Sequence, residues 1–428
     1  MMRKTAKKSK FVLIFACFLC LFRFIGCSAK PAEHSKTVTD NNFKQISRGN
    51  PAVLRYNSYN DDGYYNFEYR DKGGINVLFT DFASAKQVYL CNRAECNHND
   101  DTCTSYFNRQ YTNLRIFPTY DQEKILCLAD YHPGDGVTEL QLISFDKNGE
   151  NRNIVIDFGP ETYTLDHIAV SDNYVLFSMA YLDIDKNEVK NGLIVANYKT
   201  GEWENICDLN FEYSVESVLG GKVYLSKEGY ENNEYTIHTY VLDLSTGDIN
   251  ETYKYVPYES KQASMSLPTL FLEKYLYKLN SDGTVFEKVD LDTGECTTFI
   301  DNINNYFDTS ITNYFYDVVD KHFRIETLLK VGEDEWEKNW YAIDTVSGQV
   351  TPLTIKAMYK GGKIPIVYPV AEFGDNLLVI CGVKSHVVTL YGPGNEPYDG
   401  EALKEIYGII SKADYYANIP NIKVVEMI

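Results

Sequence analysis

The chain has 428 residues, with 41 Lys+Arg against 60 Asp+Glu and a formal net charge of −19. So acidic a surface repels phosphate backbones, which excludes nucleic acid as the expected partner and leaves cationic ligands or divalent ions compatible. Tyrosine is abundant, 35 residues beside 22 Phe and 3 Trp, a composition suited to packed sheets or to a face of stacking rings.

The first element is a targeting segment. Arg3, Lys4, Lys7, Lys8 and Lys10 form a basic cluster without an acidic residue, and residues 11–22, FVLIFACFLCLF, are unbroken apolar. Twelve helical residues rise about 18 Å, short of a hydrocarbon core of about 30 Å. The pattern therefore reads as an export signal. It ends FIGC at residues 24–27, a small residue before a cysteine, which resembles the bacterial lipobox. Cys27 is the expected lipidation site and residues 1–26 the lipoprotein signal peptide. Phe24, where leucine is usual, and Arg23, inside the apolar core, depart from that pattern. A signal cut elsewhere and a retained membrane helix are the alternatives.

Residues 27–42 read as the lipidated cysteine and a polar tether, SAKPAEHSKTVTDNN, without apolar periodicity. Two acyl chains hold a protein stably at a bilayer. The expected location is thus the outer, extracytoplasmic face of the cell membrane, with the folded body in residues 43–428. Removing 26 residues from 428 leaves 402, and 41 basic residues less six leaves 35 against 60 acidic, or −25.

A repeat then sets the fold. An apolar strand, a polar turn ending in glycine and a second strand recur around Gly149, Gly201, Gly247, Gly294 and Gly348, spaced 52, 46, 47 and 54 residues apart. Asn197, Asp243, Asp290 and Asp344 each stand four residues before their glycine, where a short side chain bonds turn amides and glycine takes a left-handed position. Two further strand-like runs precede each hairpin, such as HIAVS and NYVLFSMA at residues 167–171 and 173–180. Four strands per roughly 50 residues is the signature of a β-propeller blade, which needs neighbours to bury both faces. Weaker copies at residues 76–90, with Ala85 in the glycine position, and 405–420 extend the count. The predicted fold is all-β, a propeller of seven four-stranded blades, with six or eight blades, or two stacked sandwiches, as alternatives. FKQIS, residues 43–47, is expected to complete the last blade and close the ring.

Between the first copy and the next lies CNRAECNHNDDTC, residues 91–103. Cys91, Cys96, His98 and Cys103 are spaced Cys-x4-Cys-x-His-x4-Cys. Three thiolates and an imidazole suit a tetrahedral zinc ion, which would anchor a loop lacking its own core. The rival is a Cys96–Cys103 disulfide, favoured by an oxidising location. A third reading leaves the thiols free. Cys127, Cys207, Cys296 and Cys381 fall in separate strand-like runs and read as small apolar residues.

The lipobox-like start, the stretch YLCNRAECNHNDDTCTSYF and the tyrosine-rich GIISKADYYANIPN together resemble surface lipoproteins of Gram-positive, clostridial-type bacteria. Those carry a propeller domain likened to that of low-density lipoprotein receptor-related proteins. The resemblance spans nearly the whole chain, and its cysteine motif, matched by Cys91, Cys96, His98 and Cys103, is its most specific part. It implies a propeller and a surface location, and it carries no catalytic residues.

Catalytic motifs are not found. There is no Gly-x-Ser-x-Gly, His-Glu-x-x-His or phosphate loop. DIDKNEVKNGLI, residues 183–194, begins like a calcium loop but has Glu188 and Ile194 where glycine and glutamate belong. His167, His238 and His322 read as structural. Carboxylates crowd residues 59–69 and 332–340, the basis for an alternative carbohydrate-active or peptide-cleaving enzyme with a carboxylate site in the central funnel. The primary reading is a membrane-anchored propeller that binds a glycan, peptide or envelope protein without catalysis. Tyr59, Tyr64, Trp336 and Trp340 are candidate binding-face aromatics.

Overall fold

The computed structural model describes residues 38, 42–46, 58–70, 73–134, 136–165, 167–183, 186–258, 269–308, 312–330, 336–357, 366–391 and 397–428, all within one compact unit, Ser35–Ile428. The signal segment, Cys27 and most of the tether lie outside the described residues. Apart from a short helix, Lys412–Tyr416, and one 3-10 turn, the regular elements described are strands.

The recurring unit is an antiparallel four-stranded meander. In residues 214–255 it runs Ser214–Gly220, Lys222–Glu231, Glu234–Asp243 and Ile249–Tyr255. Residues 111–160, 169–208, 270–300, 312–353 and 368–424 repeat this order. The turns are built as the sequence predicts. The Asp243 carboxylate accepts the amides of Ser245 and Thr246 at 2.8 and 3.3 Å, and Gly247 sits at φ 77°. Asn197 and Asp344 make the same bonds in their own turns.

A second reason for the repeated glycine appears only in three dimensions. A β-carbon on Gly294 would lie 2.6 Å from the Thr252 carbonyl oxygen, and one on Gly149 would lie 2.1 Å from that of Leu90. Each turn backs onto the outer strand of the preceding meander, and a side chain would push the two apart.

The apolar cores lie between meanders. Tyr65, Val77 and Leu90 pack with Ile116, Ile125 and Phe145. Phe117 and Leu126 pack with Val175 and Phe177, and Leu176 and Leu193 with Val223 and Leu242. Tyr224 and Tyr255 meet Leu276 and Val289; Tyr277 and Phe286 meet Phe323 and Ile343. Trp340 and Ala342 pack on Leu377 and Val379. The series returns to its start, because Leu378, Ile380 and Tyr407 pack on Tyr64 and Phe82. Sheets stacked face to face in a closed circuit are a β-propeller. Chain direction fixes two faces. All first-to-second and third-to-fourth turns lie on one, the turn face. The described ends of the second-to-third hairpins and of the links between meanders lie on the other, the tip face.

The expected closure by FKQIS is not what forms. β1 (Phe43–Gln45) pairs antiparallel with Ala169–Val170 on one side and Ser214–Gly220 on the other, joining two meanders into one ten-stranded sheet. Its apolar side chains explain the placement: Val38 and Phe43 enter one inter-sheet core and Ile46 the next. The last sheet supplies its own fourth strand, Lys423–Val424. Glu426–Met427 then runs parallel to Lys86–Tyr89 of the first sheet.

Candidate metal centre

The first sheet contains β2 (Gly63–Tyr69), β3 (Ile75–Asp81), β4 (Lys86–Tyr89) and β5 (Tyr106–Phe107). β4 and β5 pair with opposite halves of β3. The Leu90 amide donates to the Val77 carbonyl at 2.9 Å, and the Val77 amide donates to the Ser105 carbonyl at 2.9 Å. Residues 91–104 are therefore an insertion within what is otherwise one strand. The excursion is shaped by tight turns. Cys96 N donates to Arg93 O at 3.2 Å and Cys103 N to Asp100 O at 3.0 Å, and His98 takes a left-handed φ of 53°. Its base is pinned to the next sheet by Asn92, which donates to Glu150 at 2.6 Å.

These turns gather the four predicted ligands. One donor atom from each of Cys91, Cys96, His98 and Cys103 lies within 4.8 Å of the others, and His98 Nδ1 is 3.3 Å from Cys103 Sγ. A tetrahedral ion with metal–sulfur bonds of about 2.3 Å needs sulfurs about 3.8 Å apart, so a contraction of about an ångström or less completes the shell. The cluster could hold a metal ion, and its soft donors fit a thiophilic one better than calcium or magnesium. The described cysteines are free thiols, including Cys96 and Cys103.

Local electrostatics favour a ligating imidazole. Burial, reinforced by the Arg70 charge, lowers the His98 pKa and keeps the ring neutral. Burial pushes the Cys103 thiol up to about 11. Burial also opposes ionisation of Cys91, but the Arg93 amide and the Thr104 hydroxyl outweigh it and lower its pKa. A bound cation would displace the remaining thiol protons.

A supporting layer has no counterpart in the sequence reading. The His98 ring stacks on Tyr89 at 4.4 Å. The Tyr89 hydroxyl donates to Glu68 at 3.0 Å and accepts from Arg70 at 2.7 Å. Glu68 also binds Lys404, 336 residues away, at 2.5 Å. Tyr89 stands two residues before Cys91, so its proximity was visible; the Glu68–Lys404 contact crosses the seam of the ring and leaves no local signal.

The other candidates are dispersed. His238 lies between Glu231 and Glu251 at 3.3 and 3.0 Å, and His322 stacks on Tyr416 at 4.1 Å; both bind neighbouring side chains, as expected. In the calcium-like segment Asp183 pairs with Lys190 at 2.6 Å; Ile184 and Asp185 lie outside the described residues. In the first carboxylate-rich stretch Glu68 is committed to its ion pairs; Glu333, Asp334 and Glu335 of the second lie outside the described residues. Tyr64 and Trp340 are buried in inter-sheet cores and Tyr59 packs against one; the Trp336 side chain lies outside the described residues. Cys127, Cys207 and Cys381 are buried as predicted, but Cys296 is exposed because it lies on the outer edge strand Glu295–Ile300.

No known family description matches the chain, and no curated protein does. Among solved structures, the chain is similar to the β-propeller domain of the Trilobed protease from Pyrococcus furiosus, at 10% identity and a TM-score of 0.41, over 86% of this chain and 97% of that one. It is similar to a prolyl endopeptidase at 11% identity and a TM-score of 0.47, over 95% of this chain but only 61% of that one. The polysaccharide lyase Uly1 matches at 9% identity and a TM-score of 0.37, over 75% and 92%. Likenesses this distant carry no argument about activity, and the propeller assignment rests on the strand order and the circuit of cores.

Proposed function

We propose that this chain is a membrane-anchored, extracytoplasmic propeller of seven four-stranded blades that binds a glycan, peptide or envelope protein, with a structural zinc ion at Cys91, Cys96, His98 and Cys103. Supporting the count of seven, the ten-stranded sheet divides at β1 into two meanders, and residues 58–60 meet the first sheet through the Tyr59–Tyr64 bridge, as an inner strand would. Residues 1–26 act as the signal and Cys27 as the lipidated residue.

The observation that carries the binding role is where the exposed aromatics lie. Of the nine exposed aromatics described, Phe67, Tyr69, Tyr163, Phe211, Tyr230, Tyr306 and Tyr398 belong to hairpin tips or links on the tip face, and Tyr120 and Trp203 to the turn face. Phe211 is 59% exposed and holds a left-handed φ of 54°, a conformation unusual for a bulky residue and commonest at functional sites. Flat rings presented this way stack on sugars or grip peptides with little entropy loss. A glycan and peptide array tests the reading. Phe211→Ala with Tyr230→Ala should abolish the signal, whereas Tyr120→Ala on the turn face should keep it. Binding lost equally with Tyr120→Ala would refute the assignment to the tip face.

A further inference from the structure

We propose that β1 orients the propeller on its anchor, with the turn face toward the bilayer and the tip face outward. This rests on the reading of Cys27 as the membrane attachment.

The chain enters the body at a defined place. The Val38 amide donates to the Leu244 carbonyl at 2.6 Å, and Leu244 begins the turn between Glu234–Asp243 and Ile249–Tyr255. Asn42 donates to the Asp172 carboxylate at 2.7 Å, in the turn between Ala169–Val170 and Tyr174–Asp183. Both turns belong to the turn face. From there the chain runs toward the tip face: Phe43 lies opposite Gly220 and Gln45 opposite Ala169, and the Ile46 amide donates to the Ile168 carbonyl at 2.7 Å. Gln45 Oε1 also accepts the Val218 amide at 3.2 Å.

The entry is locked. Val38, Phe43 and Ile46 are 8%, 2% and 5% exposed and are distributed over two inter-sheet cores. Pulling the segment out would expose three apolar side chains, each worth about 1.5–3 kcal/mol of burial, and break pairing with two sheets. The described contacts of the body therefore begin at Val38, four residues before the end of the polar stretch.

Magnitudes decide the orientation. Ten residues, 28–37, separate Cys27 from Val38. Ten residues span about 36 Å at most, whatever their conformation. A compact body of 394 residues, 35–428, has a radius of gyration of about 21 Å and so measures about 55 Å across. The tether is too short to carry a turn-face exit around to the tip face. Phe211, Tyr230 and the long hairpin Asn376–Tyr391/Pro397–Ser411 are held on the side away from the lipid.

Fluorescence energy transfer tests this. Residues 28–428 would carry an N-terminal hexahistidine tag and be attached to phosphatidylcholine vesicles containing nickel-chelating lipid and a headgroup acceptor dye. Donors would go on azide-bearing amino acids placed singly at Ser245 or Val346 on the turn face, and at Val189 or Asn232 on the tip face, all exposed. Transfer should be several-fold higher from the two turn-face sites. A thirty-residue Gly/Ser insertion between Thr37 and Val38 should erase the difference. Equal or reversed transfer in the uninserted chain overturns the orientation. The full chain recovered from cell membranes tests the anchor separately: a soluble, unlipidated product defeats the Cys27 reading and leaves the measured orientation standing.

Discussion

Replacing Gly294 with alanine probes the contact that makes neighbouring blades fit. An alanine β-carbon there would meet the Thr252 carbonyl oxygen at 2.6 Å with φ at 73°. The left-handed backbone costs about 1–2 kcal/mol for an L-residue. Forcing two backbones apart adds about 1–3 kcal/mol, and the stiffer unfolded chain returns about 0.4–1. The net loss is about 2–4 kcal/mol. With an unfolding entropy of about 2.1 cal/mol/K per residue over the body, Tm should fall by about 2–5 °C. Gly159→Ala is the control, because Gly159 has φ 86° but nothing within 4 Å of the added carbon; it should lose only the backbone part. Urea unfolding and calorimetry on both variants measure the difference. If Gly294→Ala costs no more than Gly159→Ala, the close approach between blades contributes nothing and the reasoning fails.

Three further outcomes are expected. Deleting residues 425–428 removes the bonds Val425 N to Tyr407 O, Glu426 N to Ala85 O and Ile428 N to Gln87 O; at about 0.5–1.5 kcal/mol each this costs about 2–4 kcal/mol, and hydrogen exchange should quicken at residues 85–89. Glu216 lies at a bulge in Ser214–Gly220 and accepts from Ser226 at 2.6 Å, and burial pushes its carboxyl up to about 7. The folded state then holds this proton more tightly than the unfolded one, so its contribution, at most about 3 kcal/mol, is present below about pH 4.5 and lost as pH rises through 7. Glu216→Gln should remove that slope from a stability-versus-pH series; an unchanged slope would refute it. Stripping metal with a chelator should lower Tm in the wild type and leave Cys91→Ala/Cys103→Ala unaffected.

The ring was legible because its repeat is local. Aspartate or asparagine, then glycine four residues later, writes each turn directly into the sequence, and alternating apolar residues write the strands beside it. Ala85 was readable as a degenerate copy because Asp81 still caps its turn, accepting the Ser84 amide at 2.6 Å. Closure was not legible. FKQIS has the pattern of a strand, but pattern does not name a partner, and β1 pairs with two other sheets, where its apolar side chains enter two cores. The Cys91, Cys96, His98 and Cys103 cluster was readable from its spacing within thirteen residues. Its support through Tyr89, Glu68 and Lys404 was not, since Lys404 reaches the site only when the last blade meets the first. Tyr64 and Trp340 misled for a related reason: in a propeller the largest aromatic surfaces are consumed between blades, and exposure depends on which end of a strand a ring occupies.

The most direct measurement is elemental analysis with thiol counting on residues 28–428, purified without reductant. The expected result is one zinc per chain, with all seven cysteines of this segment reactive after denaturation in chelator. A chain without metal that has lost two thiols would instead mean a Cys96–Cys103 disulfide, and the metal centre would be wrong.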